Sequence, residues 1–144
     1  MVRRFPAPGI GFASRGVMIG EGQAPKVLLV DDNAIVRDML VDLVTSFGCD
    51  TQPAASGSEA LAFFDQGHYD IVLTDLLMPG MSGWDVLEAI HERNPNMPVV
   101  IITGSPVVDD PRAAKRNVAV LKKPVDVTSL ENLVKRMVER AQPV

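Results

Sequence analysis

Three short stretches, Lys26–Val30 (KVLLV), Asp70–Thr74 (DIVLT) and Pro98–Thr103 (PVVIIT), set β-branched and aliphatic residues at consecutive positions. A strand with one wet face alternates apolar and polar side chains, so an unbroken apolar run of this length belongs to a strand covered on both faces. Between these runs the period changes to that of a helix. Ala34 to Phe47 places Val36, Leu40, Leu43, Val44 and Phe47 on one stripe, with Gly48 as its stop. Ser56-Gly57-Ser58-Glu59 has the form of a capping box and predicts a helix to about Asp65. Ser82-Gly83-Trp84-Asp85 predicts another helix start, running to about Arg93. Weaker strand signals lie at Cys49–Pro53 and Val118–Leu121, and a last helix from about Val127 to Arg140 aligns Leu130, Leu133, Val134, Met137 and Val138. Strands and helices in regular alternation predict an α/β fold, a parallel sheet with helices on both faces.

A chain of 144 residues is one domain of ordinary size, long enough to bury a core without a disulfide or metal staple. The single cysteine, Cys49, excludes an internal disulfide and a multi-cysteine metal site, and fits a reducing, cytoplasmic compartment. Apolar runs such as Val99-Val100-Ile101-Ile102 fall far short of the about 20 residues a membrane span needs. The formal charge of −4, with no clustered basic stripe, argues against nucleic-acid binding through the domain itself. Residues 1–25 differ from the rest. They hold five of the eleven glycines and three prolines, show neither helical nor strand periodicity, and read as a flexible tail. Pro6, Pro8, Gly9, Gly11 and Arg15 interrupt the apolar core that a signal peptide would need. Met18 is an alternative start. Residues 26–144 form the folded domain, with 17 acidic against 11 basic side chains.

In open α/β sheets, ligands bind beyond the carboxyl ends of the strands. Those ends carry Asp31-Asp32, Asp75, Thr103 and Lys123. Three carboxylates at one edge repel and raise one another's pKa values. A hard divalent cation with oxygen ligands relieves that repulsion, and Mg²⁺ suits a few carboxylates with water and phosphate. A cation, a lysine and a hydroxyl around one aspartate make an electrostatic cradle for a phosphoryl group, with the aspartate as its acceptor. Each residue also has a plainer reading. The aspartates suit turns and helix caps, although Asn33 suits the cap as well and leaves the acids without a purpose. Thr103 and Lys123 are ordinary at a strand end and on a surface. His68 and His91 are expected to be solvated, Cys49 to be buried, and Trp84 to pack.

KVLLVDDN at Lys26–Asn33, DIVLTDLLMPGMSG at Asp70–Gly83, VIITG at Val100–Gly104 and LKKP at Leu121–Pro124 stand in order along the chain. Together they resemble the receiver domain of bacterial response regulators, over about residues 26–140. The resemblance implies a doubly wound five-stranded sheet in order 2-1-3-4-5. It implies Asp75 as phosphoacceptor, Asp32 as direct Mg²⁺ ligand, Asp31 as the second acidic residue at the metal, usually acting through water, and Leu77 as donor of a backbone carbonyl to the metal. It implies Thr103 as switch hydroxyl, Lys123 as phosphoryl partner, and a cis Lys123-Pro124 bond. Val36 and Met39 match positions beside the site where a kinase four-helix domain docks. The implied partners are a histidine kinase or histidine phosphotransfer protein and a downstream protein target.

The chain departs from the family pattern in three places. Val120 stands where an aromatic usually sits, three residues before the lysine. The stretch Gly104–Asn117 is short and contains Pro106 and Pro111, so the usual fourth helix is expected to be truncated, shifted or irregular. Leu77 and Ser105 match positions whose side chains influence acyl-phosphate hydrolysis in the family, and by that resemblance an apolar Leu77 implies a long-lived phosphoryl group. The chain ends at Val144, directly after the last helix, so the expectation is a stand-alone receiver. A receiver detached from a hybrid kinase and a phosphorylation-independent scaffold are the alternatives. A magnesium-dependent phosphatase with an aspartate nucleophile would need a second aspartate where Leu77 stands.

Overall fold

The computed structural model describes residues 24–105 and 109–141. Its strands are β1 (Lys26–Val30), β2 (Asp50–Ala54), β3 (Ile71–Asp75), β4 (Val99–Thr103) and β5 (Val118–Lys122), and its helices are α1 (Ala34–Ser46), α2 (Gly57–Gln66), α3 (Gly83–Arg93) and α4 (Val127–Ala141). All strand pairs are parallel, in the order β2-β1-β3-β4-β5. The five strands and four helices lie within two residues of the positions read from the sequence. Pro53 sits within β2, where an edge strand tolerates a missing N–H donor.

Successive side chains of a strand point to opposite faces, and the apolar runs accordingly feed two cores. Val27, Leu29, Ile71, Leu73, Val100 and Ile102 face α1 and α4. Leu28, Val30, Val72, Val99 and Ile101 face α2 and α3. Cys49 is buried in the first of these cores, as expected. Trp84 packs against the second, and the Arg112 guanidinium lies 5.0 Å from its ring centre.

Local signals set the helix ends. Asn33 Oδ1 accepts from the N–H groups of Ile35 and Val36 and caps α1. Gly48, at φ +94°, closes it in the left-handed region. Ser56 caps α2 by accepting from Glu59 N–H, but the Glu59 carboxylate accepts from Ala55 N–H rather than from the cap residue itself. Ser82 and Asp85 form the full reciprocal box on α3.

Three sequence expectations need revision or fall outside the described residues. Residues 1–23 of the expected tail lie outside, but Pro25 is buried and its carbonyl accepts from Asp50 N–H, so the body begins before Lys26. His91 is half-buried, with its Nε2 2.9 Å from the Met97 carbonyl oxygen, whereas His68 is exposed as expected. Between β4 and β5 the described residues contain one short 3₁₀ turn, Pro111–Ala114, in agreement with the expected truncation; residues 106–108, including Pro106, lie outside. Arg112 ties that turn to α3. Its guanidinium pairs with Asp110 at 2.7 Å and with Glu88 at 3.0 Å.

Candidate functional site

The topology reverses between β1 and β3: from β1 the chain passes to β2 on one side and later to β3 on the other. The crevice at the carboxyl ends of those two central strands collects the acidic residues. Carboxylate oxygens of Asp31, Asp32 and Asp75 lie within 4.8 Å of one another. Each is placed by a different piece of backbone. Asp31 follows β1 and its N–H donates to the Ala54 carbonyl at 3.1 Å. Asp75 ends β3, and Asp32 opens the turn into α1.

Asp31 is 1% exposed. Its Oδ1 accepts from Asn33 N–H at 2.9 Å, while its Oδ2 is buried with no hydrogen-bond partner. Burial is the largest cause raising its pKa above the ordinary carboxylate range; the Asn33 N–H opposes the rise, and the Asp75 charge adds to it. The repulsion expected from the sequence is therefore present at Asp31, but secondary to desolvation. A buried carboxylate oxygen left without a donor, beside two further carboxylates, fits a hard oxygen-seeking cation.

Lys123 Nζ donates to Asp75 Oδ1 at 3.0 Å. The lysine is delivered by the end of β5, where Lys123 N–H donates to the Thr103 carbonyl at 2.8 Å and the Lys123-Pro124 bond is cis. Thr103 ends β4, is buried, and its Oγ1 accepts from Ser105 N–H at 3.0 Å. The sequence-derived residues thus come from four strand ends to one edge. Leu77 lies two residues beyond Asp75 with its side chain 73% exposed. Val36 and Met39 lie on the same face of α1, in a groove beside Lys123.

Two residues without an assigned role in the sequence also shape the edge. Arg37 Nη1 donates to the Asp31 carbonyl at 2.8 Å. No motif marked it, because an arginine on an amphipathic helix reads as a solvated charge. Gly83 approaches β3 so closely that a Cβ there would lie 2.5 Å from the Asp75 carbonyl oxygen, and its N–H donates to the Leu76 carbonyl at 2.8 Å. Its signal was the glycine closing the Asp70–Gly83 motif.

A five-stranded doubly wound sheet with an acidic cluster, a lysine and a buried threonine at its carboxyl edge defines a CheY-like receiver fold. The family model described as the response regulator receiver domain matches residues 27–135, and the chain belongs to that family, the receiver domains of two-component systems. Among curated relatives, the chain is 34% identical over 90 residues to the probable transcriptional regulatory protein TcrX of Mycobacterium tuberculosis, covering 62% of this chain and 38% of that protein. It is also 34% identical over 82 residues to the autoinducer 1 sensor kinase/phosphatase LuxN of Vibrio harveyi, covering 57% of this chain and 10% of that one. The chain therefore spans well under half the length of these relatives. A receiver domain from Clostridium thermocellum superposes with a TM-score of 0.75 at 31% identity, covering 81% of this chain and 95% of the other. Among the described residues, no helix is long and apolar enough to cross a membrane.

Proposed function

We propose that Asp75 is the phosphoacceptor of this receiver and that the chain signals by protein contacts once phosphorylated. The observation that carries this reading is the Lys123–Asp75 pair at 3.0 Å set against three clustered carboxylates. A carboxylate oxygen of Asp75 attacks the phosphorus of a donor phosphohistidine. The phosphorus–nitrogen bond breaks, its electron pair stays on the imidazole, and an acyl phosphate forms on Asp75. As negative charge moves from the carboxylate to the phosphoryl oxygens, Lys123 follows it, and the Thr103 hydroxyl is available to donate to one of those oxygens.

Asp31, Asp32 and Asp75, with the Leu77 backbone carbonyl, would hold Mg²⁺, which when bound screens the charge of the transferring phosphoryl group. Arg37 holds the Asp31 main chain and Asn33 holds its Oδ1, which leaves Oδ2 for the cation. The exposed, apolar Leu77 offers no group to orient an attacking water, which supports slow hydrolysis of the acyl phosphate. Val36 and Met39 are read as the docking anchor for a histidine kinase or histidine phosphotransfer protein, since Met39 is 59% exposed beside the lysine that reaches Asp75. The single buried thiol is consistent with a cytoplasmic setting.

The test is phosphate incorporation from a small acyl-phosphate donor and from a phosphorylated histidine phosphotransfer protein, each with Mg²⁺ and with a chelator. Wild type incorporates phosphate only with Mg²⁺, and Asp75→Asn incorporates none with either donor. Incorporation by Asp75→Asn at the wild-type level overturns the acceptor assignment. Met39→Lys slows only the protein donor. Equal slowing with both donors would place Met39 in the fold rather than at a docking surface.

A further inference from the structure

A groove of about 580 Å³ runs between α1 and the connection from β5 to α4, with Val36, Met39, Leu40, Leu43, Val125 and Val127 among its lining. Met39 and Val127 are half or more exposed on it, and Ile35 stands 80% exposed at the start of the same helix. An apolar strip of this kind usually has an occupant.

Residues 1–23 have the position, the length and the charge to fill it. They join the body at Ala24, beside Pro25, at the amino-terminal end of β1. α1 runs antiparallel to β1 and returns to that same edge, where its last residue, Ser46, lines the groove. Twenty-three residues reach up to about 75 Å when extended, against about 20 Å for the whole of α1. Phe5–Phe12 (FPAPGIGF) is an uncharged, largely apolar run bracketed by Arg3-Arg4 and Arg15. Residues 1–23 carry three arginines against one glutamate, while residues 26–144 carry a net −6. On α1 the acids are Asp38 and Asp42, Asp42 lines the groove, and the helix's one base, Arg37, is turned onto the Asp31 carbonyl.

We propose that residues 1–23 fold back along α1 and seat the Phe5–Phe12 run in this groove, as a built-in competitor for the surface where the protein phosphodonor docks. The competition rests on the docking reading given above; the fold-back does not. Lys123 lines the groove and also pairs with Asp75, so the seated segment stands next to the acceptor. Tethering supplies an effective concentration of order millimolar, so an intrinsic affinity of that order seats the segment about half the time. A donor protein binding in the micromolar range then displaces it.

Burial pushes the Cys49 thiol up to about 12, so it stays unreactive in the folded chain. A nitroxide placed on Ser14→Cys in the full-length protein is therefore the only label. With the chain isotope-labelled, the amide signals of Met39, Leu43, Val125 and Val127 are expected to broaden, and those of Arg116 and Arg140, at the groove under β4 and β5, to stay sharp. Phe5→Glu combined with Phe12→Glu restores the sharp signals. Broadening that is uniform, or centred on another face, overturns the fold-back. Broadening of an unlabelled-thiol, isotope-labelled chain by a separate tagged chain overturns it too, in favour of a second copy as occupant. If the fold-back competes with docking, the double glutamate variant accepts phosphate from a protein donor about twofold or more faster and from a small donor at an unchanged rate. Seating with no change in either rate refutes the docking reading of α1 and leaves the fold-back standing.

Discussion

Asp31 and Asn33 divide two tasks that either side chain is chemically able to perform. Asn33, neutral and exposed, caps α1, and its main-chain N–H fixes one oxygen of Asp31. Asp31 is thereby released from capping and buried with its other oxygen unsatisfied, which costs free energy unless a donor or a cation meets it. Asp110 shows the opposite balance. Hydrogen bonds from the Arg112 side chain, then from its backbone N–H, hold the Asp110 carboxyl down at about 2. Because the folded value lies below the ordinary 3.8, the stabilisation is present above 3.8 and is lost as pH falls through about 2. The pair lies at the surface, so its contribution is small and weakens with salt. A side-chain carboxyl titration followed by NMR is expected to show a midpoint near 2, and Arg112→Gln to move it up towards 3.8. An unchanged midpoint in that variant would show that Arg112 is not the cause.

At the scale of elements, the seating of α3 against the end of β3 sets the position of Asp75, the proposed acceptor. The Ser82–Asp85 box fixes where α3 begins, and Gly83, in its first turn, lies against the Asp75 carbonyl. A methyl group at Gly83 would meet Asp75 and Leu76 backbone atoms at 2.5 and 2.9 Å, and backbone does not yield as a flexible side chain does. Gly83→Ala is expected to cost about 1–3 kcal/mol in urea unfolding and to slow phosphorylation by a small donor. Ser82→Ala is the control: it removes a cap worth about 1 kcal/mol and leaves the phosphorylation rate within about twofold of wild type. Equal rates for Gly83→Ala and wild type would show that β3 shifts without disturbing its carboxylate. The 3₁₀ turn at Pro111–Ala114 is held through Arg112 to Glu88 and Trp84 on α3, so these residues are braced sideways against that helix.

Across the whole molecule, a phosphoryl group on Asp75, as proposed, would act on the rest of the chain through the elements that touch the carboxyl edge. Family members usually pass it through an aromatic on β5 that turns inward as the threonine moves. Here Val120, half-buried and packed against the α2–α3 core, has one stiff torsion and no ring to swing. A modification shifts an equilibrium only through its differential interaction with the two states, and Val120 presents no ring that could be placed differently in each. Beryllofluoride, as a phosphoryl mimic with Mg²⁺, is expected to move amide signals mainly in the loops after Asp75 and Thr103. Those of Val118–Leu121 are expected to change little. Large changes across β5 and the outer face of α4 would show that another residue carries the switch.

The elements of the sheet were legible because strands buried on both faces must be apolar at every position, and the helices because one stripe of each must meet that sheet. The acids and the lysine at the strand ends were legible for a related reason, since no core residue of this fold needs a charge there, whereas the neutral Thr103 stood out only through the VIITG motif. Tertiary structure decided what depends on how one element settles against its neighbour. Arg37 meeting the Asp31 carbonyl, Gly83 meeting Asp75, and Arg112 joining the turn at Pro111 to α3 depend on how helices settle on the sheet. His91 is half-buried for the same reason, since the Met97 carbonyl reaches it only when α3 and the start of β4 are packed. Periodicity reports which face of an element is covered; it carries no information on which polar atom of the next element will lie within 3 Å.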